Sequence, residues 1–594
     1  MLDLDYDAER FRREAEPLLS HLSQCTNLGA VRRRLFAYIT RKHLAAGRQV
    51  TREVGGRVVI RDSARALRSL TLARSAALSG FSVPQALWDL ARGVPRPDLS
   101  PAFYAELIYL VRGLEGKAPL RGLRKSPVDI AGRGRLAARA RSEAMDRLWE
   151  WVQERLARYP DGLSPEAVER RAARRARVLS LLGGCETDWS SWEWHVRHIF
   201  LDPGLLAQAA NLRAQELQAA RLAVEHRVPF GVTPYYAALF DDDPEAGRDR
   251  AIRAQVLPPA DYVAEMAALR DDRARRLDFM RERDTSPVDL ITRRYPAIAV
   301  FKPFNACPQI CVYCQRNWQI EEPMAPGALA SRARLETAFR WFQAHPAVRE
   351  VLVTGGDPLA LSDELLGRIL DRLAAISHID LIRIGSRVPV TMPMRITEAL
   401  AAQLARLRVP GRRELCLMTH VEHPYEVTPE LVAAVARLRA HGIEVYNQLV
   451  YTFYVSRRFE VAALRMLLRR CGIAPYYTFA PKGKSETARY RVPLARVLQE
   501  QQEEARLLPG TRRTDEAVYN LPGLGKHYLR ARQNRELISI RPDGSRVYEF
   551  HPWEKNVVRC KSYVGDDVPI LDYLLRLAEL GENPDDYAGI WHYY

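Results

Sequence analysis

The stretch VREVLVTGGDPLALSDELLGRILDRLAAISHIDLIRIGSR (348–387) holds the pattern on which the fold turns. A short β-rich run at 348–357 gives way to an amphipathic helical stretch at 363–375, and a second β-rich run follows at 379–387. Strand, helix, strand in series predicts parallel strands joined by a helical crossover. The alternation continues in both directions. Upstream, AIAVFKP (297–303) precedes a helix at about 332–344. Downstream, IDLIRIGSR itself precedes a helix at 397–407, ELCLMTH (414–420) one at 429–441, EVYNQLVYT (444–452) one at about 458–470, and APYYTFAPK (474–482) one near 493–507. Six such units are two short of a closed eightfold barrel. The expected fold class is therefore α/β, a partial (β/α)6 barrel preceded by helical N-terminal domains. Asp357, Arg387, His420 and Lys482 follow strands, at the end of such a barrel that carries an active site.

The whole chain has 594 residues, 47% hydrophobic and 27% charged, a mix that excludes a mostly disordered protein. No run approaches the ~18 apolar residues that a membrane span needs. The opening MLDLDYDAERFRREAEPL has acids where a signal peptide needs bases and an apolar core. A cytoplasmic protein with no membrane partner is expected. The net charge of +17 is lopsided: residues 1–185 hold 34 basic and 20 acidic residues, 31 of the bases being Arg, while residues 186–594 hold 55 and 52. Residues 1–185 are read as a basic, mainly helical N-terminal extension, separable and without chemistry. Its charge fits a nucleic acid or an acidic partner, and equally a solvated helical surface. Within it, 135–158 has helical spacing, and QVTREVGGRVVIRD (49–62) reads as a hairpin around Gly55-Gly56. A break near Gly183-Gly184 leads to a helical domain at 186–290, the barrel at 291–510 and a closing segment at 511–594.

Eight cysteines are too few for a disulfide scaffold of this length. Cys25, Cys185, Cys416, Cys471 and Cys560 are scattered. Cys307, Cys311 and Cys314 fall within eight residues, CPQICVYC, just after the first predicted strand. Thiolates are soft ligands that suit iron–sulfur clusters and zinc. A structural zinc site wants a fourth ligand, and none falls at the usual spacing. Three ligands on a four-iron cluster leave one iron open to chelate a small molecule, and CxxxCxxC is the signature by which radical S-adenosylmethionine enzymes do so. Gly355-Gly356-Asp357, after the second strand, resembles the element of those enzymes whose backbone and acid hold the methionine end of the cofactor.

Further motifs occur in order: RYPAIAV (294–300), CPQICVYCQR (307–316), VLVTGGDPLALSDELL (351–366), IRIGSRVPV (382–390), PMRIT (393–397), THVEHPYEVT (419–428), NQLVYT (447–452) and PYYTF (475–479). Together they resemble the lysine 2,3-aminomutase family, from about Trp189, through WEWH and TPYYAALF, to about residue 555. The resemblance implies a radical-SAM barrel and an isomerase with two cofactors. A reduced [4Fe-4S] cluster splits S-adenosylmethionine to make a carbon radical, and pyridoxal phosphate carries the amino acid while its nitrogen moves from C2 to C3. It further implies a reductant of flavodoxin or ferredoxin type and a homodimer. NLPGLGKHY (520–528) resembles the family's glycine-rich segment and makes Lys526 the pyridoxal lysine, although the glycine run is shortened and interrupted by Leu524. Arg294 and Tyr295 match pyridoxal-phosphate contacts, and Arg316 matches the arginine that binds the substrate carboxylate, a task suited to a guanidinium fork. His420 and Gln448 match pocket positions after the fourth and fifth strands and are assigned, with Gly355, Gly356 and Asp357, to S-adenosylmethionine. Only Cys560 follows Lys526, so the structural zinc of the lysine-acting members is not expected.

Lysine-acting members hold the distant ammonium with two aspartates, and the matching positions here are Lys482 and Asn520. A lysine repels an ammonium and pairs with a carboxylate, and an asparagine can donate to one. The same replacement marks the glutamate 2,3-aminomutases, so L-glutamate, giving β-glutamate, is the expected substrate. Lysine, arginine and a protein-bound lysine stay open. Two other classes are a basic binding module on a degenerate barrel and a radical-SAM enzyme without pyridoxal phosphate. The intact Cys, Gly-Gly-Asp and Lys526 motifs argue against the first; brown iron–sulfur colour would test it, and a pyridoxal absorbance removed by Lys526→Ala would test the second.

Overall fold

The computed structural model describes residues 4–48, 54–118, 132–272 and 276–594. Its centre is a nine-stranded sheet: β1 (Ile291–Thr292), β2 (Ile298–Phe304), β3 (Glu350–Gly355), β4 (Leu381–Gly385), β5 (Glu414–Thr419), β6 (Glu444–Val450), β7 (Ile473–Phe479), β8 (Glu516–Leu521) and β9 (Gly525–Tyr528). Spatial order follows chain order, and β1 and β9 are free edges, so the barrel stays open. Strands β2 to β8 run parallel. β1 and β9 are antiparallel to their neighbours. The six expected strands are β2 to β7. The seventh parallel strand and its antiparallel return, β8–β9, were not expected.

Crossover helices start where the chain supplies a cap. Ser331, Ser362, Thr397 and Thr428 each accept a backbone N–H from the first turn of helices Arg332–Ala344, Asp363–Ala374, Glu398–Ala405 and Pro429–Ala440. Each helix turns an apolar stripe inward, for example Leu366, Leu370 and Leu373 of the second. The sixth crossover is helical over Leu494–Gln499 and passes through a π-turn at Glu500–Glu504.

The hairpin expected at 49–62 is not there. Residues 49–53 lie outside the described residues, and Val54–Leu70 is one α-helix. Val58-Val59-Ile60 resembles a strand locally, but Ile60, Ala64 and Leu67 line up at helical spacing and are buried. Tertiary packing overrides β propensity here: the helix lies against helices Leu28–Arg48 and Pro101–Glu115 and against the strand β10 (Arg535–Ile540). β10 pairs with β11 (Arg546–Phe550), which pairs with β12 (Tyr563–Asp566), a small antiparallel sheet in the closing segment.

The N-terminal extension is therefore not detached. Its helix Pro101–Glu115 buries Glu106 against Arg546 at 3.0 Å and stacks Tyr109 on Trp591 with ring centres 4.5 Å apart. Arg74 forks onto Glu549, and Asp62 pairs with Arg532. Further along, Tyr159 donates to the Arg458 carbonyl and Arg174 to that of Ala238. Glu106 and Arg546 are each about 1% exposed. Glu106→Ala leaves the guanidinium buried without its partner and is expected to lower stability by about 3–5 kcal/mol, read as a drop in the urea midpoint. Glu106→Leu with Arg546→Met should recover only part of that loss, because the Trp591 and Tyr593 carbonyls then lose the guanidinium that bonds them.

Candidate active site

The cysteine loop leaves β2 at Phe304 and is pinned along its length. Ile310 N–H donates to the Gly231 carbonyl at 3.2 Å, Val312 to Gln255 at 2.8 Å and Met324 to Cys307 at 3.1 Å. The Gly355-Gly356-Asp357 turn continues the β2–β3 pairing into this loop: Gly356 N–H donates to Phe304 O at 2.7 Å and Asp357 N–H to Ala306 O at 2.9 Å. Both glycines are required by that approach. Gly355 has φ +121°, and a Cβ on it would stand 2.6 Å from Phe304 O; a Cβ on Gly356 would collide with the Ala306 backbone. Gly356→Ala should push the cysteine loop away and destabilise the protein by about 1–3 kcal/mol. Iron bound per chain after anaerobic reconstitution checks this, with a large loss expected.

Burial pushes the Cys307 and Cys311 thiols up, an effect that Arg387 opposes at Cys311. Among the described residues no three His, Cys, Asp or Glu side chains converge where one metal ion would sit. Thiols that each take a different iron of a cluster need no such convergence. The Asp357 carboxylate is already engaged: it accepts N–H groups from Leu359 at 3.1 Å, Arg387 at 2.7 Å and Val388 at 3.2 Å. The acid therefore fixes the turn after β4.

Beside the loop lies a polar network drawn from six segments of the chain. Arg387, after β4, donates from Nη1 to Cys311 Sγ at 2.9 Å and from Nη2 to Glu426 Oε1 at 2.7 Å, Tyr236 Oη at 3.1 Å and Gln255 Oε1. Tyr313, from the cysteine loop, bonds Gln255 at 3.0 Å, His420 Nε2 at 2.8 Å and Glu422. His420 Nδ1 meets the Gln448 carbonyl at 2.6 Å. Sequence reasoning found His420 and Gln448 but missed Tyr236, Gln255 and Glu426. Tyr236 lies in TPYYAALF and Glu426 in THVEHPYEVT, so both were quoted as resemblance without a role.

At the other side of the same barrel end, β8 and β9 form a hairpin whose register sets Asn520 opposite Lys526. Gly523 and Gly525, at φ +70° and +87°, make the turn. A Cβ on Gly525 would stand 2.5 Å from Tyr295 Oη, which receives the Lys526 backbone N–H. Tyr295 stacks on Trp553, and the Lys526 ammonium lies between the rings of Tyr295 and Tyr477, 5.0 and 5.1 Å from their centres. Burial, then Arg383 and Arg294, lower the Lys526 pKa to about 8. Arg383 was not singled out from the sequence, although it sits in the quoted IRIGSR.

Arg316 is buried, with Nη2 donating to Asn305 at 3.3 Å and to Gln319; its Nε and Nη1 have no hydrogen-bond partner among the described residues. The carboxylate in range is Glu282, 4.0 Å away and paired with Lys302 at 2.9 Å. Arg294 donates to the Met280 carbonyl and leaves its own buried Nε unpartnered. Such orphaned donors fit an anionic ligand. Lys482 is half-buried and donates to Gln315. It has no carboxylate partner among the described residues, and burial, then Lys484, lower its pKa to about 7. Lys484, two residues on, is a different case. Glu486 at 2.5 Å and Asn317 at 2.6 Å hold it in a buried pair. Of these two lysines, Lys482 is the one without a carboxylate partner among the described residues.

An uncharacterized KamA family protein of Methanocaldococcus jannaschii is 43% identical over 539 residues, covering 87% of this chain and 86% of that protein. A glutamate 2,3-aminomutase of Clostridioides difficile is 29% identical, over 59% of this chain and 78% of its own. An L-lysine 2,3-aminomutase of Bacillus subtilis is 30% identical, over 53% and 63%. A match over 87% of the chain must take in much of residues 1–185; the shorter matches need not. No protein-family model matches the chain. The crystal structure of Streptococcus suis SuiB bound to S-adenosylmethionine aligns over 46% of this chain and 60% of that one, with TM-score 0.29 and 13% identity, too weakly to bear on the site.

Proposed function

Given that this chain belongs to the KamA family and is similar to glutamate and L-lysine 2,3-aminomutases, we propose that it moves the α-amino group of L-glutamate to C3 as a radical S-adenosylmethionine, pyridoxal-phosphate enzyme. The observation that carries this reading is the cross-strand pair Lys526–Asn520 at the barrel end where Lys482 makes no ion pair among the described residues. The donor set supports both cofactors: three half-buried thiols on a pinned loop, and a lysine of lowered pKa beside tyrosine rings and arginines with unpartnered N–H groups. Bound there, a four-iron cluster with S-adenosylmethionine supplies a carbon radical, and pyridoxal phosphate an electron system for the migrating nitrogen.

The chain's own residues divide the remaining work. Cys307, Cys311 and Cys314 would each hold one iron. The backbone of Gly355 and Gly356, with His420 and Gln448, would seat S-adenosylmethionine. Arg294 and Tyr295 would orient the pyridoxal ring and Lys526 would bind it. Arg316 would fork onto the α-carboxylate, and Lys482 with Asn520 would receive the side-chain carboxylate, which would draw the Lys482 proton back. A low-potential flavodoxin or ferredoxin would supply the electron.

Anaerobic incubation with S-adenosylmethionine, pyridoxal phosphate, a low-potential reductant and separate glutamate, lysine and arginine samples tests the reading. β-Glutamate is the expected product by mass spectrometry. A β-amino acid from lysine alone defeats the substrate claim, and no β-amino acid from any sample defeats the aminomutase claim.

The free amine of a lysine is the form that attacks a carbonyl. With a pKa of about 8, roughly a quarter of Lys526 is free at pH 7.5, against about a thousandth for an ordinary lysine. The rate at which apoprotein takes up pyridoxal phosphate should therefore rise with pH and level off above about pH 8.5. Stopped-flow absorbance follows it, with Lys526→Ala as the blank. A rate still climbing tenfold per pH unit beyond 9 would mean an unperturbed lysine.

A further inference from the structure

Among the described residues, Arg387 is the side chain that joins a cysteine-loop sulfur to the helical domain. Its guanidinium reaches Cys311 Sγ at 2.9 Å with Nη1, and with Nη2 reaches Tyr236 Oη at 3.1 Å and Glu426 Oε1 at 2.7 Å. Its backbone N–H is fixed by Asp357 at 2.7 Å. Glu426 is wholly buried and takes further bonds from Tyr236 at 2.6 Å and Gln255 at 3.0 Å, so the ion pair cannot swing away from the sulfur. Gln255 also receives Tyr313 of the cysteine loop, closing the network on both sides. A guanidinium tied this firmly is more than is needed to hold the loop, which backbone hydrogen bonds already pin at Ile310, Val312 and Met324.

We propose that Arg387 is a positioning residue that raises the reduction potential of the cluster by donating an N–H to the Cys311 sulfur, and that Glu426 sets how much positive charge reaches it. The inference rests on the reading that the three cysteines hold a four-iron cluster. Reduction adds one electron, and so one negative charge, from a flavodoxin- or ferredoxin-type donor. A cation and an N–H at a ligand sulfur stabilise the reduced form over the oxidised one, because hydrogen bonds to sulfur and net charge set cluster potentials. Glu426 opposes the cation from the far side of the guanidinium. Removing the negative charge alone should therefore raise the potential, and removing both groups should lower it, because the lost cation is the nearer of the two to sulfur.

The test uses the full-length protein reconstituted anaerobically with iron and sulfide. Iron per chain is counted first, and the potential is then read by titration with mediator dyes followed by electron paramagnetic resonance. At a fixed potential, Arg387→Met with Glu426→Gln should show a reduced-to-oxidised ratio at least tenfold below wild type, which is about 59 mV for one electron. Glu426→Gln alone should lie above wild type. Three ratios within twofold of one another overturn the proposal while leaving the cluster assignment intact. Wild type that binds no iron defeats the cluster assignment itself, and this proposal with it. If the double variant binds no iron, Arg387→Lys takes its place, with a shift in the same direction expected. A folded Arg387→Lys protein that also lacks iron would show that the arginine builds the loop rather than tunes it, and would overturn the proposal.

Discussion

Alanine in place of Cys307, Cys311 or Cys314 is expected to abolish formation of 5′-deoxyadenosine from S-adenosylmethionine. The loss should exceed the 10–100-fold typical of removing a residue that merely supports a metal ligand, and reach the order of a thousandfold. The loop itself should survive the change, since its backbone is held by Gly231, Gln255 and Asp357 rather than by the sulfurs. The effect is therefore chemical: one iron loses its anchor. Cys416, on β5 and buried to 5% exposure, is the natural control. Its replacement by alanine removes a small buried group, costs about 1 kcal/mol and leaves the rate alone. Chromatographic assay of deoxyadenosine, with iron counted on the same samples, distinguishes the two cases. A Cys311→Ala protein that makes deoxyadenosine at the wild-type rate would end the cluster assignment.

Lys482→Asp combined with Asn520→Asp should cut glutamate turnover by roughly two to four orders of magnitude. Losing the partner of a buried charge costs about 3–5 kcal/mol, and 1.4 kcal/mol is a decade. Repulsion between the new aspartates and the substrate carboxylate adds to that. Arg316 serves the α-carboxylate of any amino acid, so it does not discriminate. Asn520 faces Lys526 across the hairpin. An aspartate there would also raise the Lys526 pKa and slow uptake of pyridoxal phosphate. Lys482→Asp alone separates the two effects, because it should lose glutamate selectivity while keeping the uptake rate. Competition between labelled glutamate and lysine in one vessel reads the selectivity, and an unchanged ratio in both variants would remove Lys482 from the specificity argument.

The parallel strands were legible because each is a short apolar run between amphipathic helices, and the crossovers follow from handedness and length. The cysteine loop was legible because three identical soft ligands at fixed spacing seldom serve anything else. What escaped notice was pairing across distance. NLPGLGK gives a turn, but nothing local says that the residues before it join β7 in parallel and those after it return antiparallel. Gly55-Gly56 followed by Val-Val-Ile reads as a hairpin until helix Pro101–Glu115 and β10 cover one face of it. Tyr236 and Gln255 are over a hundred positions from Arg387, and only the folded chain brings them together. The acid of Gly-Gly-Asp was read as a ligand contact, and its bonds to three backbone N–H groups show only in the folded chain.

The seam between helix Pro101–Glu115 and the closing segment has a consequence for synthesis. Glu106 and Arg546 are 440 positions apart. At about 5–20 residues per second, roughly 20–90 s pass on the ribosome between the two. For most of that interval Ile60, Leu67 and Tyr109 are already part of the nascent chain while Trp591 and β10, which cover them, have not been made. The helices made first are sealed last, so their exposure in the cell is timed by translation rather than by how fast the protein can fold.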